Sequence, residues 1–153
     1  MRLTLVCVGK LSREYQPVWR HYQELLRPYA DLEVFEVPET PLGAGEDLAR
    51  TKEGGALVGL LRKGAFTVAL DMRGRQYSSE DWSALLAARK VHGQSHFQFV
   101  VGGASGLDDR VLAAADLRWS LSEMTFPHQM ARCIVLEQLY RAVRIERGEP
   151  YHH

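Results

Sequence analysis

Ser120–Arg132, SLSEMTFPHQMAR, joins two kinds of structure. Trp119 and Leu121 belong to an apolar/polar alternation, the period of a strand. Ser122 and Glu123 break it. Thr125-Phe126-Pro127-His128 then restarts the chain as a helix, with Thr125 as its cap and Pro127 in its first turn. A strand–loop–helix junction turns free backbone N–H and C=O groups towards whatever lies beside it. The same residues would also serve as a plain tight connection. Its company favours function: a glycine-rich junction at Val100–Leu107, and arginines along the helix that leaves Pro127.

Working outward, Arg2–Val8 (RLTLVCV) is apolar, rich in β-branched residues and stops at Gly9, which predicts a buried strand. Ser12 is placed to cap a helix reaching Pro28, whose Tyr15, Val18, Trp19, Tyr22, Leu25 and Leu26 share one face and are assigned to the core. Leu32–Val37 alternates and is a strand. Pro38–Gly45 (PETPLGAG) is a loop, either a lid or an ordinary solvated connection. Glu46 and Asp47 suit the start of a helix predicted to reach Lys63, with Gly64 as its C-cap. Gly54-Gly55 inside it weakens the helix by roughly 1 kcal/mol per glycine, so close packing against another backbone is expected there.

Ala65–Leu70 reads as a strand ending in a turn at Asp71–Gly74, and Ser78 or Ser79 starts a helix to Val91. Phe97–Val101 is a strand, Asp108–Ala115 a helix, Leu117–Leu121 extended, and Pro127–Gly148 the last helix. Strict strand–helix alternation predicts an α/β fold, a mainly parallel sheet sandwiched by helices, in a single domain 1–153.

Composition narrows the function. The chain has 153 residues, 46% hydrophobic and 25% charged, with apolar runs too short for a membrane span and no signal-peptide layout, so a cytoplasmic protein is expected. Lys and Arg number 19 and Asp and Glu 19, which argues against a bulk electrostatic nucleic-acid binder but leaves room for a local basic patch. Cys7 and Cys133 stand far apart on apolar elements and read as buried free thiols, and the histidines form no metal set. His92 and His96 are placed on surface loops; His128, at a helix start, is the histidine assigned either a functional or a local structural role.

Gly102–Gly106 is neither GxGxxG nor a Walker A motif, and Leu107 stands where a GxSxG elbow needs its last glycine. Redox nucleotide binding, NTP hydrolysis and serine hydrolysis thereby lose their usual signatures. Paired glycines still let a backbone approach a flat ring or a ribose. Ligands of parallel sheets sit beyond the carboxyl ends of strands, which here carry Leu70-Asp71, Gly102-Gly103 and Leu121–Phe126. The last helix is apolar on several sides through Met130, Cys133, Ile134, Val135, Leu136 and Leu139, as in a helix buried centrally or between subunits. Its Arg141, Arg144 and Arg147, with Glu137 one turn before Arg141, form either a salt-bridged face or a phosphate-contacting stripe.

VGK at Val8–Lys10, KEG at Lys52–Gly54, Leu70-Asp71, VGGASGL at Val101–Leu107, LSEMTFPHQMAR at Leu121–Arg132, EQLYRA at Glu137–Ala142 and RGEPYH at Arg147–His152 together resemble one family along the whole chain. It is the RlmH-type methyltransferase family of the SPOUT superfamily. The resemblance implies methylation of N3 of pseudouridine 1915 in 23S rRNA within the assembled ribosome. It implies an α/β knot, with a deep trefoil knot formed by roughly residues 66–153, a homodimer, and S-adenosylmethionine as cofactor. Carried onto this sequence, the cofactor residues are Leu70, Gly102, Gly103 and Leu121, Ser122, Glu123, Met124, Thr125 and Phe126. Arg132, Tyr140, Arg141, Tyr151 and His152 would read the pseudouridine, and His128 or His152 would take the N3 proton. A nearby arginine stabilising the imide anion is the other chemical route. A related knotted enzyme acting on tRNA, and a non-catalytic ribosome-binding factor, are the competing expectations.

Overall fold

Apolar, β-branched strands form the centre of the molecule. In the computed structural model, which describes residues 1–151, β1 (Arg2–Val8) lies between β2 (Asp31–Val37) and β4 (His96–Val101). On the far side of β4 come β3 (Phe66–Arg75) and then β5 (Leu117–Trp119), giving the order β2-β1-β4-β3-β5. Every pairing is parallel. The α/β sandwich with a parallel sheet, read from the alternation, is what the chain adopts.

Alternate side chains feed two cores, as strand geometry requires. Leu3, Leu5 and Cys7 point to one face, where α1 (Gln16–Leu26), α3 (Ser79–Val91) and α5 (His128–Glu146) pack with Phe97, Phe99 and Trp82. Val6 and Val8 point to the other, against Leu57 of α2 (Glu46–Leu60) and Val111 of α4 (Asp109–Ala114). Ser78 caps α3 by accepting from the Asp81 N–H, and Asp108 caps α4 by accepting from the Arg110 N–H. Cys7 and Cys133 are free and buried, and burial pushes the Cys7 thiol up to about 12.

Several boundaries differ from expectation, each for a local reason. α2 ends at Leu60, ahead of Lys63, because the buried Gln98 amide brackets the Arg62 backbone: its Oε1 accepts from the Arg62 N–H at 3.0 Å and its Nε2 donates to the Arg62 carbonyl at 3.1 Å. Gly64 therefore belongs to the following turn. Asp71–Gly74 is not a turn; β3 runs on to Arg75, with a register break after Leu70 that lets both Leu70 and Arg75 pair with Trp119. α5 starts at His128 with Pro127, extended at ψ 139°, at the N-cap, while the Thr125 hydroxyl reaches the Met72 sulfur at 3.4 Å. Gly54 meets the Asp108 side chain and not a backbone. Val18 stands exposed beside the buried Trp19, and His96 opens β4, its ring bonded to Thr4 Oγ1 at 2.8 Å.

Candidate functional site

The carboxyl ends of β3, β4 and β5 open into a cleft of about 670 Å³, where open parallel sheets hold their ligands. Leu70, Gly102, Gly103, Leu121, Ser122, Met124, Thr125 and Phe126 all line it, and His128 joins them. Glu123 is exposed and lies outside the lining. Three stretches far apart in sequence thus form one concavity. The sequence offered no sign of Trp119, which lies in the lining and stacks on Trp82 with ring centroids 3.9 Å apart.

The glycine wall is built to close tolerances. A Cβ on Gly102 would stand 3.0 Å from the Gly106 carbonyl oxygen, and one on Gly103 would stand 2.9 Å from Val8 Cγ1. The loop that follows is pinned by α2. Ser105 is buried; its hydroxyl donates to Glu53 Oε1 at 3.2 Å, and its carbonyl accepts from Arg50 Nη1 at 3.1 Å. Glu53 is only 3% exposed, and its other oxygen accepts the Thr40 N–H at 2.8 Å. Arg50, Glu53 and Gly54 share a helix face, since residues three and four apart are neighbours. That face holds the glycine loop and, through Thr40, the Pro38–Gly45 loop.

The opposite wall is held more lightly. Ser120 Oγ donates to the Ser122 carbonyl at 3.0 Å, and the Met124 N–H donates to Ser122 Oγ at 3.0 Å. Met124 is 72% exposed. Where this wall turns into α5, His128 Nε2 is buried with no hydrogen-bond partner among the described residues, and Asp71 Oδ2 on the cleft wall is in the same condition. A buried polar atom left unpaired costs about 1–3 kcal/mol, so both mark places where a ligand or solvent must supply the partner.

Arg132, one turn after His128, is not on the cleft wall. It is 1% exposed, with Nη1 bonded to Glu36 Oε2 at 2.5 Å and Nη2 donating to the Val8 and Gly9 carbonyls at 3.3 and 2.8 Å. Those bonds tie the start of α5 to the end of β1, and Ser12 N donates to Gln129 Oε1 at 2.5 Å beside them. Arg132 therefore holds the first turn of α5, which carries His128, and is too enclosed to touch a base.

The remaining expected substrate residues gather elsewhere. Tyr140 is buried and meets the Tyr151 ring edge to face at 4.8 Å. Arg141 holds Glu137 through Nε at 2.9 Å, lies 4.7 Å from the centroid of the Tyr151 ring, and Tyr151 itself donates to Glu137 at 3.1 Å. Burial first, then bonds with Tyr22 and Glu137, hold the Tyr151 phenol well above its ordinary range. Arg144 and Arg147 both pair with Glu149, so this stripe is salt-bridged. At 1.5 Å per residue, Glu137 lies about 13 Å along α5 from His128. Within one chain the two groups are apart. His152 lies outside the described residues. No three of the described His, Cys, Asp and Glu residues stand together to hold a metal, and no described helix is long and apolar enough to cross a membrane.

Beside this glycine-walled cleft at the strand ends of a parallel sheet stands the chain's similarity to known proteins. The family model described as "Predicted SPOUT methyltransferase" matches residues 1–152, and the chain belongs to that family of methyltransferases. Ribosomal RNA large subunit methyltransferase H of Pelotomaculum thermopropionicum is 45% identical over 157 residues, spanning 99% of this chain and 98% of the relative. The protein of the same name from Bifidobacterium animalis subsp. lactis is 45% identical over 158 residues, spanning 99% of each. Among solved structures, a probable methylase family protein from Haemophilus influenzae Rd KW20 aligns with a TM-score of 0.55 at 12% identity, over 99% of this chain and 70% of the other, a likeness of fold alone.

Proposed function

We propose that this methyltransferase uses S-adenosylmethionine to methylate large-subunit ribosomal RNA, at N3 of pseudouridine 1915 of 23S rRNA in the assembled ribosome. One observation carries the reading: Leu70, the Gly102-Gly103 loop and Leu121–Phe126 meet in a single cleft with an unpaired His128 nitrogen at its edge. The residues suit the cofactor. The cleft falls within the size range of cofactor sites, its glycines leave a backbone wall for a nucleoside, and Asp71 Oδ2 waits for a donor. When bound, the sulfonium cofactor supplies an already activated methyl group, so neither a metal nor a covalent enzyme intermediate is required.

The protein's part is alignment and proton removal. A neutral imide nitrogen is a poor nucleophile, and His128 Nε2 is the group in the cleft placed to take its proton, with His152 as the second candidate. Arg132 holds the first turn of α5, which carries that imidazole. Tyr140, Arg141 and Tyr151 form the pseudouridine-reading group; Tyr140 and Arg141 lie about 18–20 Å from His128 along α5 in the same chain. That separation supports a homodimer, in which a second copy brings one group to the other; exposed Val18 and Met130 and half-buried Ile134 offer apolar surface for it. The chain functions as a single cytoplasmic unit, and we extend the reading to a trefoil knot formed by roughly residues 66–153. This is supported by family membership and by the return of α5 from edge strand β5 to pack on α1 and α3.

The test is transfer of labelled methyl groups to intact ribosomes from cells lacking the modification, beside separated subunits, free rRNA and tRNA. Label at N3 of a pseudouridine on ribosomes is the expected result. Label on tRNA alone, or none despite measurable cofactor binding, would overturn the assignment.

A further inference from the structure

Among the described residues Asp71 is the one acid in the cleft lining, next to Leu70 at the strand end, and it has no part in the proton transfer proposed above. Its Oδ1 is occupied: the Arg73 N–H donates to it at 3.2 Å and Arg73 Nε lies 3.5 Å away. Those contacts fix the carboxylate on its own strand. Its Oδ2 is enclosed and meets no donor among the described residues, although the side chain is only 11% exposed. The rest of the cleft lining combines apolar side chains such as Leu70, Trp119, Leu121 and Phe126 with glycine backbone, and includes Arg50 and Arg73.

We infer that Asp71 is a cofactor-binding residue, its Oδ2 accepting a hydrogen bond from an O–H or N–H donor of the bound nucleoside cofactor. The inference rests on the cofactor reading above. An ionised carboxylate only accepts, so the bound molecule must present a donor. S-Adenosylmethionine carries such donors along its length: the adenine amino group, the ribose hydroxyls and the methionine ammonium. The same oxygen opposes a phosphate in its vicinity, which fits a site for a nucleoside without phosphates. In the free protein, the unpaired oxygen is a source of instability held in place by Arg73 and the strand.

That last point separates binding from scaffolding. Asp71→Asn keeps the shape and removes the charge; Asp71→Ala removes the acceptor. Calorimetric titration of the full-length protein with S-adenosylhomocysteine should show affinity about 10- to 100-fold weaker in both variants, as for loss of a hydrogen bond to a charged group. Unfolding midpoints without ligand should hold steady or rise in D71N. A parallel titration with methylthioadenosine, which lacks the amino-acid end, locates the donor: weakening with both ligands assigns the nucleoside (an adenine or ribose donor), weakening with S-adenosylhomocysteine alone assigns the ammonium. Unchanged affinity in D71N and D71A would overturn the inference, as would weaker binding matched by an equal loss of stability in the free protein. Failure of the wild-type protein to bind S-adenosylhomocysteine would overturn the cofactor reading itself and this inference with it.

Discussion

Replacing Glu53 tests whether α2 shapes the Gly102–Gly106 loop from behind. Glu53 accepts two hydrogen bonds in a site 3% exposed, one from the Thr40 N–H at 2.8 Å and one from the Ser105 hydroxyl at 3.2 Å. Glu53→Ala removes both acceptors. The Ser105 hydroxyl is left buried and unpaired and the Thr40 N–H loses its carboxylate, at about 1–3 kcal/mol each, or about 2–6 kcal/mol together. Against a typical domain stability of about 5–15 kcal/mol, that is a large fraction. Glu53→Gln behaves differently for a geometric reason. A backbone N–H cannot turn, so the amide oxygen must stay on Thr40. The amide N–H then faces Ser105, whose hydroxyl can rotate to accept. Two charge-assisted bonds become neutral ones, a loss of about 1–2 kcal/mol that relief from burying a charge partly offsets.

The assay is urea unfolding paired with S-adenosylhomocysteine titration, run at a temperature where circular dichroism shows each variant folded. E53A should lose several kcal/mol of stability and bind more weakly, because Ser105 then hangs on Arg50 alone. E53Q should stay within about 1 kcal/mol of wild type and bind nearly normally. If E53Q is as damaging as E53A, charge and not acceptor geometry is what the site needs. If E53A unfolds more easily yet binds as well as wild type, the loop holds its shape without α2 and the reasoning fails.

Three further measurements follow from the same geometry. Gly54→Ala would place a Cβ 2.4 Å from Asp108 Cβ, so it should destabilise by about 1–3 kcal/mol despite the helix preference for alanine; Gly59→Ala, with nothing within 4 Å, should stabilise by about 0.5–1 kcal/mol, and equal effects in urea unfolding would refute the contact. Burial, then the Arg2 and Arg62 charges, hold the His96 imidazole below its ordinary 6.5. Its contribution to stability is therefore present above pH 6.5 and lost as pH falls below it, so the gap in urea midpoint between wild type and His96→Gln should change between pH 7 and pH 5; a constant gap would refute the assignment. Trp119 lines the cleft and stacks on Trp82, so S-adenosylhomocysteine should change tryptophan emission, and Trp119→Phe should remove most of that change while leaving calorimetric binding measurable.

The sheet and the gathering of its three strand ends were legible because both follow from local pattern. RLTLVCV and FQFVV are too uniformly apolar for an exposed strand, and parallel sheets present their carboxyl ends together. What stayed hidden depends on pairs distant in sequence. Asp-Met-Arg-Gly has the composition of a turn, yet pairing of Arg75 with Trp119 keeps it in β3. Nothing in the order of letters says that Gln98 will end α2 by holding Arg62. Glu53 sits in a predicted helix, where a carboxylate is ordinarily solvated; only the fold brings Ser105 and Thr40 onto it. Arg132 was expected on the substrate, and the partners that enclose it, Glu36 and the Val8 and Gly9 carbonyls, come from the other end of the chain.

The two walls of the cleft differ in how they are held, and this bears on how a ligand enters. The glycine wall is tied to α2 through Arg50 and Glu53, and its Gly102 and Gly103 leave no room for side chains. The Ser122–Phe126 wall is tied to itself through Ser122 and to β3 through the Thr125–Met72 contact, with Met124 in solvent. Segments with few buried contacts open at the least free-energy cost, so the 122–126 wall is the side expected to yield when a ligand enters or leaves. Asp71 belongs to β3, and the α5 turn that carries His128 is anchored by Arg132 to the end of β1. The acceptor and the candidate base therefore keep their places while the wall between them moves. Substitutions in 122–126 should change rates of cofactor entry and release in stopped-flow binding, whereas substitutions at Glu53 or Asp71 should act on the equilibrium affinity.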